Sequence, residues 1–140
     1  MADSFTIEIA TPERSIAQEE AVRAQIPGTD GYFGILPDHA PLLGKLGIGT
    51  LSYVTPQGGK YNIAVHGGYF EVLNNHVRVL ADAGEPGVEI DYQAAQRELE
   101  QRSRELENLS EGSDPAQALS AMMSAQARAE AARKTAAGEE

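Results

Sequence analysis

Three histidines, His39, His66 and His76, are the residues whose side chains could most readily do chemistry. Imidazoles ligate metals. Three of them brought together across a β sandwich could hold an ion with an open position for water. None lies four residues from another, so no helix face pairs them. The spacing reads more simply as one turn residue, His39, and two strand residues. Asp38-His39 has the composition of half an acid–base pair, yet neighbours on an extended chain point to opposite faces. Pro37 and Pro41 flank the pair and favour a rigid turn.

Phosphate chemistry has no better support. Gly44-Lys45 and Gly59-Lys60 lack the upstream glycine of a P-loop, and Gly47-Ile48-Gly49 fails the dinucleotide pattern at its third glycine. No Gly-x-Ser-x-Gly is present, and the chain has no cysteine. A thiol nucleophile, a disulfide framework and Cys-ligated zinc are therefore excluded. No catalytic residue, metal site or cofactor is assigned.

The elements that would carry such residues divide the sequence near residue 87. Of 14 glycines, 12 fall at or before Gly87, and six of seven prolines precede it. Beyond it the chain is rich in Ala, Glu, Gln and Arg. Turn-rich alternating sequence followed by helix-forming sequence reads as an α+β chain: a β sandwich over 1–87, then helices over 88–140. Phe5-Thr6-Ile7-Glu8-Ile9 alternates apolar and polar, as do Val22 to Ile26. Further strands are expected at Gly49–Thr55, Lys60–His66, Gly68–Leu73 and His76–Ala81. Gln57-Gly58-Gly59 and Asn74-Asn75 suit hairpin turns.

Asp91 is a plausible N-cap, followed by an apolar stripe of Tyr92, Ala95, Leu99, Leu106 and Leu109. Ser110 to Ser113 interrupt the pattern, and Asp114-Pro115 restarts it as cap and first helical residue. The next stripe is Ala118, Leu119, Met122, Ala125 and Ala129, with a tail expected to fray from Thr135. So short a connection implies an antiparallel two-helix hairpin. The second helix has strong propensity but a thin apolar face, a combination suited to a helix that can leave its partner and stay helical.

The formal net charge of −10 argues against a nucleic-acid partner and suits a partner with basic patches. The N-terminus lacks the basic start and apolar run of a signal peptide. No segment reaches the roughly 20 apolar residues that span a bilayer, so no direct membrane insertion is expected.

The densest segment runs Ile26-Pro27-Gly28-Thr29-Asp30-Gly31-Tyr32-Phe33-Gly34-Ile35-Leu36-Pro37-Asp38-His39-Ala40-Pro41-Leu42-Leu43. Two turn-rich corners bracket a short apolar strand, a pattern usual for a binding surface or a stiff corner. The segment is very similar to the signature of F-type ATP synthase epsilon subunits. The likeness continues through Leu46-Gly47-Ile48-Gly49-Thr50-Leu51, His66-Gly67-Gly68-Tyr69-Phe70-Glu71-Val72 and Asn74-Asn75-His76-Val77-Arg78-Val79-Leu80-Ala81-Asp82. It covers nearly the whole chain.

That resemblance implies a sandwich of about ten strands followed by two helices. It implies a non-catalytic rotor subunit that couples proton-driven rotation to ATP synthesis, bound to the gamma subunit and resting on the c-ring. The location would be the cytoplasmic face of the bacterial inner membrane, peripheral through the complex. Gly31, Tyr32 and His39 match the ring-facing corner, with Tyr32 where some relatives carry an acid. The hairpin of the family folds against the sandwich or extends into the alpha/beta catalytic head and inhibits hydrolysis. The candidate inhibitory basic cluster is Arg128, Arg133 and Lys134.

Some relatives bind ATP through Ile/Leu-Asp-x-x-Arg-Ala. Here Ile90, Asp91 and Ala95 keep the frame, but Ala94 stands at the arginine position. Alanine offers neither charge nor donors, so weak or absent nucleotide binding is expected. Two other readings stay open from sequence: a free-standing sandwich module with a helical tail, and a small enzyme using the three histidines.

Overall fold

The computed structural model describes all 140 residues. Its strands are β1 (Phe5–Ala10), β2 (Ser15–Ala21), β3 (Arg23–Gly28), β4 (Gly31–Ile35), β5 (Leu42–Val54), β6 (Lys60–Leu73) and β7 (His76–Pro86). A single turn of 3-10 helix at Gly87–Glu89 leads to α1 (Tyr92–Glu107) and α2 (Pro115–Ala137). The strands hydrogen-bond in the order β2-β1-β7-β6-β5-β3-β4, with only β1 and β7 parallel.

This one sheet folds over upon itself. Phe5, Ile7 and Ile9 of β1 share a continuous core with Ile26 of β3, Ile35 of β4 and Leu51 and Tyr53 of β5. The Tyr53 hydroxyl donates to Glu19 of β2 at 2.5 Å, although three strands separate β5 from β2 in the ladder. Burial, with help from that carboxylate, pushes the Tyr53 phenol up, so it remains a donor at all ordinary pH.

Seven strands form rather than the roughly ten that the resemblance implied, because β5 and β6 each bend at glycine and continue as one long strand. In β5, Leu46 faces the core, and so do Leu51 and Tyr53, on the opposite parity. β6 makes the same exchange, from Ile63 and Val65 to Phe70 and Val72. The pairing register of β5 with β6 is unchanged across the switch. Gly67 and Gly68 absorb it with φ values of 71° and 118°, a region that disfavours side chains. Strand residues thus cross from one layer to the other without losing their ladder. The separate strands expected at Lys60–His66 and Gly68–Leu73 are both parts of β6.

Both helix starts form as read. Asp91 accepts from the Ala94 amide and Asp114 from the Ala116 amide, each at 3.0 Å, with Pro115 in the first turn. The stripes are different. Tyr92, Leu109 and Leu119 are exposed, and the buried residues of α2 are all alanines: Ala125, Ala127, Ala129, Ala131 and Ala132. Small residues are required because α2 is covered on two sides, by the sheet and by α1. Helix α2 also continues past Thr135, where fraying was expected. Gly138 ends it in the left-handed conformation, and its amide bonds back to the last turn.

Candidate functional site

No enzymatic constellation assembles. His76 Nε2 lies 2.7 Å from Glu8, His39 sits on the β4–β5 loop, and His66 is within β6 opposite Ala83. No three His, Asp or Glu side chains converge to hold a metal.

The first candidate region is the glycine- and proline-rich corner. Gly31 opens β4 with φ 141° and is exposed. The Tyr32 ring is half in solvent, but its hydroxyl accepts the Thr50 amide at 3.2 Å. The β3–β5 ladder slips between Gln25 and Gly28, and here the Thr50 amide finds its acceptor in this hydroxyl. Tyr32 lies directly across Gly49, where any Cβ would meet its hydroxyl at 2.7 Å. The hydroxyl is thus committed internally while the ring edge remains outward.

His39 belongs to a different loop, Leu36–Pro41. Its Nδ1 is 2.7 Å from the Ala40 carbonyl, which can only accept, so Nδ1 carries the proton and Nε2 is left for an outside partner. No hydrogen bond links this loop to Gly31 or Tyr32.

Sequence reasoning missed an apolar strip on the outward face of the sheet. Leu43, Tyr69 and Leu80 are each more than half exposed. Tyr69 stands opposite Leu80 in the β6–β7 register and diagonal to Leu43 across β5–β6. Each is an ordinary strand apolar in isolation. Only the parity after the Gly67 bend shows that they point outward together.

The second region is the seam beneath the hairpin. The sheet face under α2 is polar and small: Thr50, Ser52, Asn62 and Ala64. Thr50 Oγ1 donates to the Ala127 carbonyl at 3.1 Å. Ser52 Oγ donates to Asn62 Oδ1 at 2.6 Å, and Asn62 Nδ2 donates to the Glu139 carbonyl at 2.7 Å. Arg23 holds Glu140 in a two-pronged pair, Nη2 to Oε1 at 2.5 Å and Nε to Oε2 at 2.9 Å. The hairpin is therefore docked by alanine packing and a row of polar ties.

Arg128, Arg133 and Lys134 do not gather into one patch. Arg128 bridges three elements, with Nε 2.8 Å from Glu85 of β7 and Nη1 2.7 Å from Glu98 of α1. The hydrogen bond to Glu85, above all, raises the guanidinium further from its ordinary value. Arg133 pairs with Glu139 at 3.4 Å and Lys134 with Glu130 at 3.1 Å. In the docked state each cation already has an acidic neighbour.

The degenerate nucleotide frame serves the fold. Ile90 and Ala95 are buried with the α2 alanines, and the Asp91 carboxylate caps α1. Ala94 is exposed.

A family model described as the ATP synthase delta/epsilon chain, β-sandwich domain, matches residues 4–87. The ATP synthase epsilon chain of Solibacter usitatus is 53% identical over 128 residues, covering 91% of this chain and 95% of the relative. That of Desulfitobacterium hafniense strain Y51 is 41% identical, covering 95% and 99%. Among solved structures, a chain of the Euglena gracilis mitochondrial ATP synthase, from a complex of OSCP, catalytic head and c-ring, superposes with a TM-score of 0.79. It shares 21% identity over 95% of this chain and 83% of that one, a likeness of fold. Sandwich and hairpin are matched together by relatives 41% and 53% identical over more than nine-tenths of the chain, and the chain belongs to the family of ATP synthase epsilon chains.

Proposed function

We propose that this protein is a non-catalytic rotor subunit of an F-type ATP synthase, which passes torque between the c-ring and the gamma subunit. The observation that carries the reading is the 53% identity to an epsilon chain across 91% of the sequence, hairpin included. The folded-over sheet supports it physically, since a close-packed β core with buried Phe5, Ile26, Phe70 and Val79 resists shear. Gly31, Tyr32 and His39 would face the c-ring. The Leu43–Tyr69–Leu80 strip is the apolar surface available to a rotor partner. No helix is long and apolar enough to cross a membrane, so the membrane association we propose runs through the complex, at its cytoplasmic face.

The hairpin would act as a brake on ATP hydrolysis. Its seam favours reversible docking, because alanines bury little area each and the sheet face they leave is polar. Release would free Arg128, Arg133 and Lys134 from their acidic neighbours for an acidic surface on the catalytic head.

The test is ATPase activity of a catalytic head carrying gamma but stripped of this subunit. Full-length protein and a truncation ending at Gly87 are added back in turn. Both should bind gamma, and only the full-length chain should slow hydrolysis. Failure of both to bind gamma would sink the rotor reading. Binding without inhibition by either would remove the brake and leave the coupling role.

A further inference from the structure

Asp38, Asn74 and Asn75 are the only residues other than glycine with positive φ, at 65°, 50° and 60°. Asn74 and Asn75 form the tight β6–β7 turn, where that conformation is required. Asp38 takes it in a turn of its own: the His39 amide bonds to the Leu36 carbonyl at 3.2 Å across Pro37 and Asp38, and with proline second, a turn of this kind needs positive φ at its third residue. In that conformation it also makes a reciprocal clasp with Asn75. The Asp38 amide donates to Asn75 Oδ1 at 2.6 Å, and Asn75 Nδ2 donates back to Asp38 Oδ1 at 2.9 Å. The remaining carboxylate oxygen of Asp38 accepts the Ala2 amide at 3.0 Å, and the Asn75 carbonyl accepts the Thr6 amide at 2.9 Å.

Three segments distant in sequence thus meet at one pair of side chains. Neither residue belongs to a hydrophobic cluster, so the clasp is not there to build the core. Within Leu36–Pro41 the only other backbone bond runs from the His39 amide to the Leu36 carbonyl at 3.2 Å. That turn and the flanking prolines stiffen the loop internally, while the bonds of Asp38 to Asn75 and Ala2 tie it to the rest of the fold and so orient His39.

We infer that Asp38 and Asn75 are positioning residues for rotor recognition: they hold the Leu36–Pro41 loop in the conformation that its partner binds. The inference rests on the reading of His39 as part of the ring-facing corner. A loop that is competent only part of the time binds more weakly in proportion to that fraction. If losing the clasp drops the competent fraction to about a tenth, the Kd rises about tenfold.

Asn75→Gly removes both side-chain bonds and keeps an Asn-Gly turn, which favours the same geometry. Asp38→Gly removes the carboxylate and accepts the positive φ without strain. Asp38→Asn keeps an acceptor at Oδ1 and tolerates the left-handed region. Affinity for an isolated gamma–c-ring assembly is measured for each full-length chain, with His39→Ala as the benchmark and amide exchange as the check on folding. Asn75→Gly and Asp38→Gly should each weaken binding about tenfold and speed exchange of the loop amides. Asp38→Asn should restore binding to within about twofold, while β7 and α2 amides stay protected. If His39→Ala weakens binding and both glycine variants bind like the parent, the clasp proposal fails alone. If His39→Ala and the glycine variants all bind like the parent, the ring-facing reading fails and the clasp with it.

Discussion

Gly87, in the 3-10 turn before α1, packs directly against the backbone of α2, and adding one methyl group there should undock the hairpin selectively. A Cβ at Gly87 would lie 2.5 Å from the Ala131 carbonyl oxygen, and nearer still to Thr135 Oγ1. Ordinary contact begins at 3.4 Å, so α2 must retreat by 3.4 − 2.5 = 0.9 Å. The obstacle is backbone, which cannot rotate aside. Overpacking of this kind costs about 1–3 kcal/mol, or roughly 5- to 150-fold in the ratio of docked to free hairpin. Gly87 lies outside the main core, whose residues come from β1 to β7. Amide exchange followed by mass spectrometry separates the two regions. In Gly87→Ala, α2 amides from Ala125 to Ala132 should exchange faster by that factor, while those of β1 and β7 hold. Unchanged protection of α2 would refute the reasoning. Equal loss in α2 and β1 would refute it too, because the hairpin would then be inseparable from the sandwich.

Arg128→Met keeps the aliphatic stem but removes the ties to Glu85 and Glu98, and should weaken hairpin docking by about 1–2 kcal/mol. Amide exchange checks the size, and raising salt should loosen the parent more than the variant. Arg23, chiefly by hydrogen bonding, holds the Glu140 carboxyl below its ordinary value. A depressed carboxylate stabilises the docked tail above its unfolded pKa and loses that contribution as pH falls through the folded one. Tail docking should therefore weaken as pH falls below the ordinary carboxylate range, and Arg23→Gln should remove that pH dependence, as read by NMR of the last three residues. Millimolar ATP should give no saturable shifts around Asp91, because that carboxylate caps α1 and Ala94 replaces the arginine. Saturable shifts there would overturn the expectation.

Local rules carried much of the architecture. Period-2 alternation marked β1, β3 and the halves of β6, and Asp91 and Asp114-Pro115 marked both helix starts. The Ile26–Leu43 corner stood out because glycine and proline act on their own backbone, wherever the rest of the chain lies. The same residues carried the resemblance to the epsilon family.

What tertiary structure decided was every feature that depends on residues distant in sequence. A glycine signals a turn and a bend alike, so only the constant pairing register from Leu42 to Val54 shows that β5 and β6 are each one bent strand. A helix covered on one side leaves a stripe of large apolar residues to read. Helix α2 is covered on two sides, and its buried residues are alanines without such a stripe. Arg128 reads as one cation in a basic tail until folding brings Glu85 and Glu98 to it from 43 and 30 residues away. Asp38 and Asn75, 37 residues apart, look like two independent turn residues. Propensity and periodicity act within a few residues, whereas charge pairing and close packing act through space, and only the folded chain determines which groups they join.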